Sequence, residues 1–232
     1  MKCENANSEK KQKAGEWAAQ LVENGMTVGI GTGSTVYFFV KALKKRMDEE
    51  KLHFTGVVTS FQTRCLCEEL GFDLKDISSV DALDIAVDGA DEVDGNFNGI
   101  KGGGAAQTLE KVVAALAKKY IFIIDDGKKV NRLGDSFPVP VEVIPQAWRL
   151  VRNSIEKLGF KSEIRIAKRK DGPVITDNGN FVLDVVLDKE YDIEKLNNAI
   201  TMIPGVLETG FFIGYADTVC VGTDNGVEIL KK

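Results

Sequence analysis

The sequence predicts an α/β protein: a Rossmann-like open parallel sheet with helices on both faces, together with a smaller α+β domain of the ferredoxin or ACT type. Two observations predict this fold. Short apolar runs alternate with helical patterns in the first half of the chain, and each run ends in a polar or glycine-rich stretch. After Pro138 the pattern changes to an extended, proline-punctuated stretch, which indicates a second domain.

The larger domain is predicted over residues 1–137 and 207–232. Four apolar runs are its expected parallel strands: Thr27–Ile30, Gly56–Val58, Leu83–Val87 and Ile121–Ile124. Helical patterns accompany them at Glu16–Val22, Tyr37–Met47 and Ala105–Leu116. Ligands bind beyond the carboxyl ends of strands in open parallel sheets. We therefore expect a site where the strands lead into the loops GTGST, TSFQT, DGADE and DDGKK.

The smaller domain is predicted over residues 138–206. Its pattern gives a helix at Ala147–Leu158, a hairpin turn at Asp177–Asn180 and a helix near Ile193–Ile200. Three later apolar runs are expected to rejoin the first sheet: Phe211–Gly214, Thr218–Val221 and Val227–Leu230.

Composition excludes several function classes. The net charge of −5 argues against a nucleic-acid or membrane-surface partner, since both require a basic face. No apolar run approaches the roughly 18 residues of a membrane span, and the polar start does not resemble a secretion signal. Four cysteines do not suggest a disulfide framework, so we expect a cytoplasmic protein with reduced thiols.

Metal and histidine chemistry are disfavoured as well. Cys65 and Cys67 have no second Cys/His pair with which to form a metal site. The one histidine, His53, lies in a polar stretch between predicted elements. Acid–base chemistry must therefore come from carboxylates, lysines, tyrosines or thiols.

The loop Gly31–Thr35 follows a strand and opens a helix, so its amides and hydroxyls are suited to hold an anion. A nicotinamide cofactor is disfavoured because the second strand ends in Thr59 and Ser60 instead of an acidic residue. The Gly-Lys-Ser/Thr of a Walker loop is also missing. A small phosphate ester fits best, with a glycine-rich structural turn as the alternative.

The acidic stretch Asp88–Glu92 follows the third apolar run and suggests metal binding or acid–base work. A calcium loop of the EF-hand type is excluded, because its third position would be Ala90 and its twelfth Gly99. A solvated acidic turn is the alternative interpretation.

Three consecutive glycines, Gly102–Gly104, lie between Lys101 and a helix. Their bare amides beside a lysine form an oxyanion-stabilising arrangement, although a flexible linker is the alternative. Glu110 lies on that helix at the edge of its apolar stripe, where partial burial would suit a working base. Judged from the helix alone, a surface glutamate paired with a lysine is the better interpretation, and Lys128 alone also fits a surface residue.

Taken in order, these residues resemble the type A ribose-5-phosphate isomerase family. Further similarity extends the likeness over nearly the whole chain, although Asp126-Gly127 replaces a more usual Glu-Ser and Thr209 stands where other residues often occur. The matching blocks are Gly31–Thr35, Asp88–Glu92, Lys101–Ala106 with Glu110, Lys128 after Asp-Asp-Gly, Pro138–Val143, Thr176–Asn180 and Ile203–Val206.

The resemblance implies interconversion of ribose 5-phosphate and ribulose 5-phosphate through a cis-enediol(ate), in the non-oxidative pentose phosphate pathway, without a metal or cofactor. It implies Glu110 as proton acceptor, with Asp88 and Asp91 on sugar hydroxyls and Asp88 assisting ring opening. It places Lys101 and the Gly102–Gly104 amides on the enediolate oxygens. It also implies a homodimer or homotetramer. The remaining implied substrate-binding residues are Thr32, Gly33, Ser34, Thr35, Gly89, Ala90, Lys128 and, by a loose match, Lys11.

Two other classes stay open on the sequence. A non-catalytic sugar-phosphate sensor would normally carry a helix-turn-helix or a basic segment, and we see neither. A sugar-phosphate deaminase or an acyl-CoA transferase of similar architecture lacks support for its own catalytic set.

Overall fold

The structure is a computed structural model that describes residues 7–232. It divides into two compact units. The first unit contains the described residues up to Ala90, together with Leu109–Lys129 and Gly214–Lys232. The second contains Asp91–Thr108 and Val130–Ile213.

Helices and strands alternate along the described chain. The α-helices are α1 (Ser8–Ala19), α2 (Ser34–Glu50), α3 (Phe61–Glu69), α4 (Gln107–Leu116), α5 (Trp148–Lys157) and α6 (Ile193–Thr201). The strands are β1 (Thr27–Ile30), β2 (Thr55–Val58), β3 (Ile85–Asp88), β4 (Glu92–Val93), β5 (Gly99–Ile100), β6 (Tyr120–Asp125), β7 (Val139–Val143), β8 (Lys161–Ile164), β9 (Phe181–Val186), β10 (Val206–Thr209), β11 (Phe211–Phe212), β12 (Thr218–Thr223) and β13 (Gly226–Lys231).

The first unit is built on a sheet of six strands in the order β13-β12-β6-β3-β1-β2. The strands β12, β6, β3, β1 and β2 are parallel, and only β13 runs antiparallel at the edge. Every residue of β3 and β6 is buried, which explains why these strands appear as continuous apolar runs in the sequence. The predicted parallel sheet and its four strands are confirmed.

The prediction for the C-terminal runs is partly wrong. The second and third runs become β12 and β13 and rejoin the first sheet as expected. The first run instead becomes β11, which pairs with β5 in the second unit. Phe211 and Phe212 are both buried, and Phe211 packs in the core of the second unit. The burial of these two aromatic side chains explains why the strand pairs there.

Glycines let α1 pack closely on α2 and β12. A Cβ on Gly15 would lie 2.6 Å from the backbone nitrogen of Phe39, and one on Gly222 would overlap the carbonyl of Lys10. This packing brings lysines of α1 to the C-terminal end of β6. Lys10 forms an ion pair with Asp126 at 2.9 Å.

The second unit combines a four-stranded antiparallel sheet, β10-β7-β9-β8, with α5 and α6, and a three-stranded sheet, β11-β5-β4. The range 138–206 expected for the smaller domain is narrower than this unit. The added segments belong with it because Val130 N–H donates to the Val93 carbonyl at 3.0 Å, and because Ile100 and Leu133 lie in its core.

Glu142 of β7 is fully buried and accepts hydrogen bonds from four side chains. Thr176, just before the predicted hairpin turn, and Asn178 and Asn180 within it donate to Oε1, at 2.7, 3.2 and 2.9 Å. Thr108, in the first turn of α4, donates to Oε2. The conspicuous Pro138–Val143 and Thr176–Asn180 blocks therefore form a polar network that anchors the start of α4.

Candidate active site

Asp88 ends β3 with its side chain packed on Gly31, the residue that follows β1. A Cβ at position 31 would overlap the Asp88 carboxyl group, so only glycine fits there. Asp88 Oδ1 accepts the N–H groups of Thr32 at 3.1 Å and Gly89 at 2.7 Å. Asp88 is only 1% exposed. These contacts hold a carboxylate at the carboxyl ends of two neighbouring parallel strands.

The Thr32 hydroxyl connects the end of β1 to the end of β2. Its Oγ1 lies 2.8 Å from Thr59 Oγ1 and 2.6 Å from Ser60 Oγ. Thr63 Oγ1 donates to the Gly31 carbonyl at 2.7 Å. The sequence indicated a loop at TSFQT but did not identify these hydroxyl groups as site residues.

Gly33 precedes α2 with φ +119°, a conformation that other residues rarely adopt. Because it has no side chain to cap the helix, it leaves the first N–H groups of α2 available to an anion. Thr35 is buried and Ser34 half-buried in this first turn. The loop therefore offers N–H and hydroxyl groups as hydrogen-bond donors at the start of α2.

Glu110 lies on the part of α4 that belongs to the first unit. One turn further on, Val113 packs on β1, where a Cβ added to Gly29 would lie 2.6 Å from Val113 Cγ1. This close packing carries Glu110 into the unit, where it is 4% exposed. The interpretation as a surface glutamate is therefore wrong.

Tyr120, the first residue of β6, lies beside both carboxylates. Its hydroxyl lies close enough to Asp88 and Glu110 for both carboxylates to act on its ionisation. Burial raises the pKa of Tyr120 well above its usual value, and the nearby charges of Asp88 and Glu110 raise it further. A neutral phenol thus lies among the two acidic groups, and the sequence analysis did not identify it.

The loop after β6 carries Lys128, which is half-buried and has no ion-pair partner among residues 7–232. Lys11 of α1 lies in the same unit, with its Nζ 3.9 Å from Asp125 Oδ2. The ammonium group of Lys128 can therefore bind an anion without first breaking a salt bridge. Lys11, in contrast, already has a carboxylate neighbour.

Lys101 belongs to the second unit and is 2% exposed. Its N–H donates to the Gly210 carbonyl at 2.9 Å, and its Nζ lies 5.4 Å from the centroid of the Phe212 ring. Gly210 therefore fixes the backbone of Lys101, and Phe212 of β11 lies beside its ammonium group.

The glycine triplet that follows is fixed by side chains of the second unit. Gly102 has φ +104°, and the Gly103 N–H donates to Asp91 Oδ2 at 2.8 Å. Arg165 donates to the carbonyls of Gly102 at 2.7 Å and Gly103 at 3.3 Å. Asp91, expected on a sugar hydroxyl, thus accepts a backbone N–H in this structure.

The predicted site residues fall into both units. The second unit contains Asp91, Lys101, Gly102, Gly103 and Gly104. The first unit contains Lys11, Thr32, Gly33, Ser34, Thr35, Asp88, Gly89, Ala90, Glu110 and Lys128.

Two negative findings apply to residues 7–232. Within them, no three His, Cys, Asp or Glu side chains form a group that could hold a metal ion. None of the helices described there has the length and apolar character needed to cross a membrane. The cysteines in this range, Cys65, Cys67 and Cys220, are free thiols, and Cys3 lies outside the described residues.

These features define an α/β enzyme in which one parallel strand leads into a helix without a side-chain cap and its neighbour ends at a buried carboxylate. A family model described as ribose 5-phosphate isomerase A (phosphoriboisomerase A) matches residues 55–226. A relative from Nostoc sp. named ribose-5-phosphate isomerase A is 51% identical, over 91% of this chain and 90% of its own.

Solved structures agree. Ribose 5-phosphate isomerase A from Methanocaldococcus jannaschii superposes with a TM-score of 0.94 at 42% identity, covering 98% of this chain and all of the other. A D-ribose-5-phosphate isomerase in complex with phospho-erythronic acid gives 0.93 at 42% identity, covering 97% and 98%. The chain belongs to the ribose 5-phosphate isomerase A family, so the resemblance found in the sequence is confirmed.

The contact between Gly31 and Asp88 gives a direct test of the site. We expect Gly31→Ala to displace the Asp88 carboxylate and to lower kcat for ribose 5-phosphate about 100-fold, as a misplacement of about 1 Å can do. The control is Gly95→Ala, where an added Cβ meets nothing within 4 Å, and it should keep its turnover. Steady-state kinetics of both variants check this, and equal activity would contradict it.

Proposed function

We propose that this isomerase interconverts D-ribose 5-phosphate and D-ribulose 5-phosphate, with Glu110 as the base that carries the proton. The observation that carries the proposal is the burial of Glu110 in the same unit as the buried Asp88, where the charges of both carboxylates act on Tyr120. Two buried carboxylates, Asp88 at the end of β3 and Glu110 on α4, are the groups available for acid–base work, because the one histidine, His53, is exposed on a loop.

The reaction moves one proton between neighbouring carbons. In the open-chain aldose, Glu110 removes the proton from C2, and the electrons of that bond form the C1–C2 double bond of a cis-enediol(ate). The π electrons of the C1 carbonyl move onto O1. The same carboxyl group then returns the proton to C1 on the same face, while the hydroxyl proton of O2 passes to O1, which leaves the C2 carbonyl of the ketose. Asp88, buried and held by two N–H groups, would assist the ring opening that exposes the carbonyl carbon.

The enediolate carries negative charge on its oxygens, which must be offset. We assign this role to the Lys101 ammonium and the Gly102–Gly104 amides, and we assign Asp91 to a sugar hydroxyl. Preorganised donors in a site that excludes water typically contribute several kcal/mol to the transition state. Phospho-erythronic acid, bound by a relative, has a carboxylate that resembles this charge.

The phosphate is assigned to the start of α2 and to cations of the first unit. Ser34 and Thr35 would offer hydroxyl and amide donors, Lys128 an ammonium group, and Lys11 a second one. Thr32, Gly33, Gly89 and Ala90 complete the substrate contacts that we propose. The proposal requires no metal ion or redox cofactor, since proton transfer and charge stabilisation come from these side chains and amides.

Replacing the base tests the central assignment. We expect Glu110→Gln to lower kcat roughly 1,000-fold or more while leaving substrate binding nearly intact, because the amide cannot accept the proton. The assay uses ribose 5-phosphate with EDTA and no added metal, and a parallel run in deuterium oxide follows exchange into the sugar. The control is Glu156→Gln, an exposed carboxylate on α5.

Near-normal turnover of Glu110→Gln would remove Glu110 from the mechanism. If the wild-type chain bound ribose 5-phosphate without isomerising it, the non-catalytic sensor would become the better function.

The neighbouring lysines Lys128 and Lys129 allow a matched test of the phosphate assignment. Lys128→Met should raise KM about tenfold with little change in kcat, because a hydrogen bond to a charged group contributes about 1.5 kcal/mol. Lys129→Met removes the neighbouring charge, which is paired with Glu228 at 3.0 Å on the surface, and should change KM little. Initial rates at low and moderate salt measure both. A larger KM effect at Lys129 would refute the assignment.

We also propose that the chain forms a homodimer or homotetramer and works in the cytoplasm, in the non-oxidative pentose phosphate pathway. Assembly is supported by exposed apolar side chains in the second unit, among them Leu150, Met202 and Leu207. The last of these lies on β10, an edge strand, where another chain can pair. Light scattering at micromolar concentration should give a multiple of 25.3 kDa, and a monomer mass would contradict this.

A further inference from the structure

The side chain of Arg165 donates hydrogen bonds to two carbonyl groups of the glycine triplet. We propose that Arg165 is a positioning residue for the isomerisation. It fixes the orientation of the peptide groups at Gly102–Gly104, so that an N–H of the triplet is directed to the enediolate oxygen. This inference rests on the proposed function, in which those amides stabilise the enediolate.

The contacts of Arg165 use all three guanidinium nitrogens. Nη1 donates to the Gly102 carbonyl at 2.7 Å and to the Gly103 carbonyl at 3.3 Å. Nε donates to Asp184 Oδ2 at 2.9 Å, and Nη2 donates to Asp184 Oδ1. The fork-like pairing with Asp184 fixes the plane of the guanidinium group, which in turn fixes where Nη1 points.

A peptide group held at its carbonyl is also held at its N–H, because the two point in opposite directions across a trans peptide. In the first peptide, the Gly102 carbonyl accepts from Arg165 while the Gly103 N–H donates to Asp91 at 2.8 Å. In the second, the Gly103 carbonyl faces Arg165, so the Gly104 N–H must face away from the guanidinium. Gly104 is exposed, so this N–H can meet a ligand.

The triplet needs such a constraint. Glycine populates many backbone conformations, and an oxyanion site works only when its donors are already aimed at the developing charge. A loop of three glycines without external hydrogen bonds would lose much of that preorganisation. Arg165 supplies the constraint without reaching the reacting atoms, since its nitrogens are used by Asp184 and by the backbone.

The strand geometry around Arg165 does not depend on its side chain. Its N–H donates to the Val182 carbonyl at 2.8 Å, and its carbonyl accepts from Val174 N–H at 2.8 Å. A substitution that removes only the guanidinium should therefore leave the fold of the second unit in place.

We expect Arg165→Met to lower kcat about 100-fold while KM changes less than about threefold, because the aimed amides act on charge that is largest in the transition state. Asp184→Asn, which keeps the shape of the side chain but weakens the fork, should lower kcat about tenfold. The control is Arg132→Met. That arginine also pairs with a carboxylate, Asp135 at 3.0 Å, and donates to a backbone carbonyl, and its loss should leave kcat unchanged.

Chemical rescue separates positioning from stability. Guanidinium at a non-denaturing concentration should restore part of the turnover of Arg165→Ala, whereas methylammonium, a point charge, should not. Calorimetry with phospho-erythronic acid should show about tenfold weaker binding to Arg165→Met, with inorganic phosphate bound as in the wild type. Circular dichroism establishes that each variant is folded, and Asp184→Asn supplies the test if the Arg165 variants are not.

The inference is overturned if Arg165→Met, or Asp184→Asn in its place, keeps the kcat of Arg132→Met, or if the loss lies in KM alone. Those outcomes leave the proposed function intact, provided that Glu110→Gln is inactive. An active Glu110→Gln would instead refute the base and leave the Arg165 comparison interpretable.

Discussion

The carboxyl group of Asp88 occupies the space in which a Cβ of residue 31 would stand, and the chemistry of the first unit depends on that contact. Because Gly31 has no side chain, β1 and β3 can end side by side with the buried carboxylate of Asp88 between them. The N–H groups of Thr32 and Gly89 satisfy one of its oxygens and keep the charge tolerable in a position that water barely reaches. The loop Gly31–Thr35 and the buried carboxylate of Asp88 are thereby fixed by one interaction.

In the second unit, hydrogen bonds likewise hold a backbone segment in place, the glycine triplet Gly102–Gly104. The triplet carries a backbone entropy cost of roughly 0.5–1 kcal/mol per residue, relative to alanine, when it is ordered. Asp91 and Arg165 offset this by holding opposite sides of its peptide groups. At the far end of the segment, Thr108 joins the buried Glu142 network. The α+β unit therefore restrains the glycine triplet, whose backbone alone would populate many conformations.

Much of the fold could be predicted because buried parallel strands are continuous apolar runs, and β1, β2, β3 and β6 all show this pattern. What escaped prediction is short or decided by partners distant in sequence. The strands β4 and β5 have two residues each, too few for a periodic signal, and the run that became β11 pairs with β5 instead of the first sheet. The boundaries of the second unit follow from these pairings, which no local pattern reports.

The site residues also divide into those that a local sequence pattern indicates and those whose position depends on partners distant in sequence. Its glycines, carboxylates and lysines stand in recognisable blocks, but the burial of Glu110 depends on the packing of Val113 against a glycine 84 positions earlier, at Gly29. Tyr120 begins an apolar strand and looks like a core residue. Its place near Asp88 follows from the register of β3 with β6, which pairs Ala86 with Tyr120. Because burial raises the pKa of this phenol well above its usual value, Tyr120 stays neutral and adds no further charge beside the two buried acids.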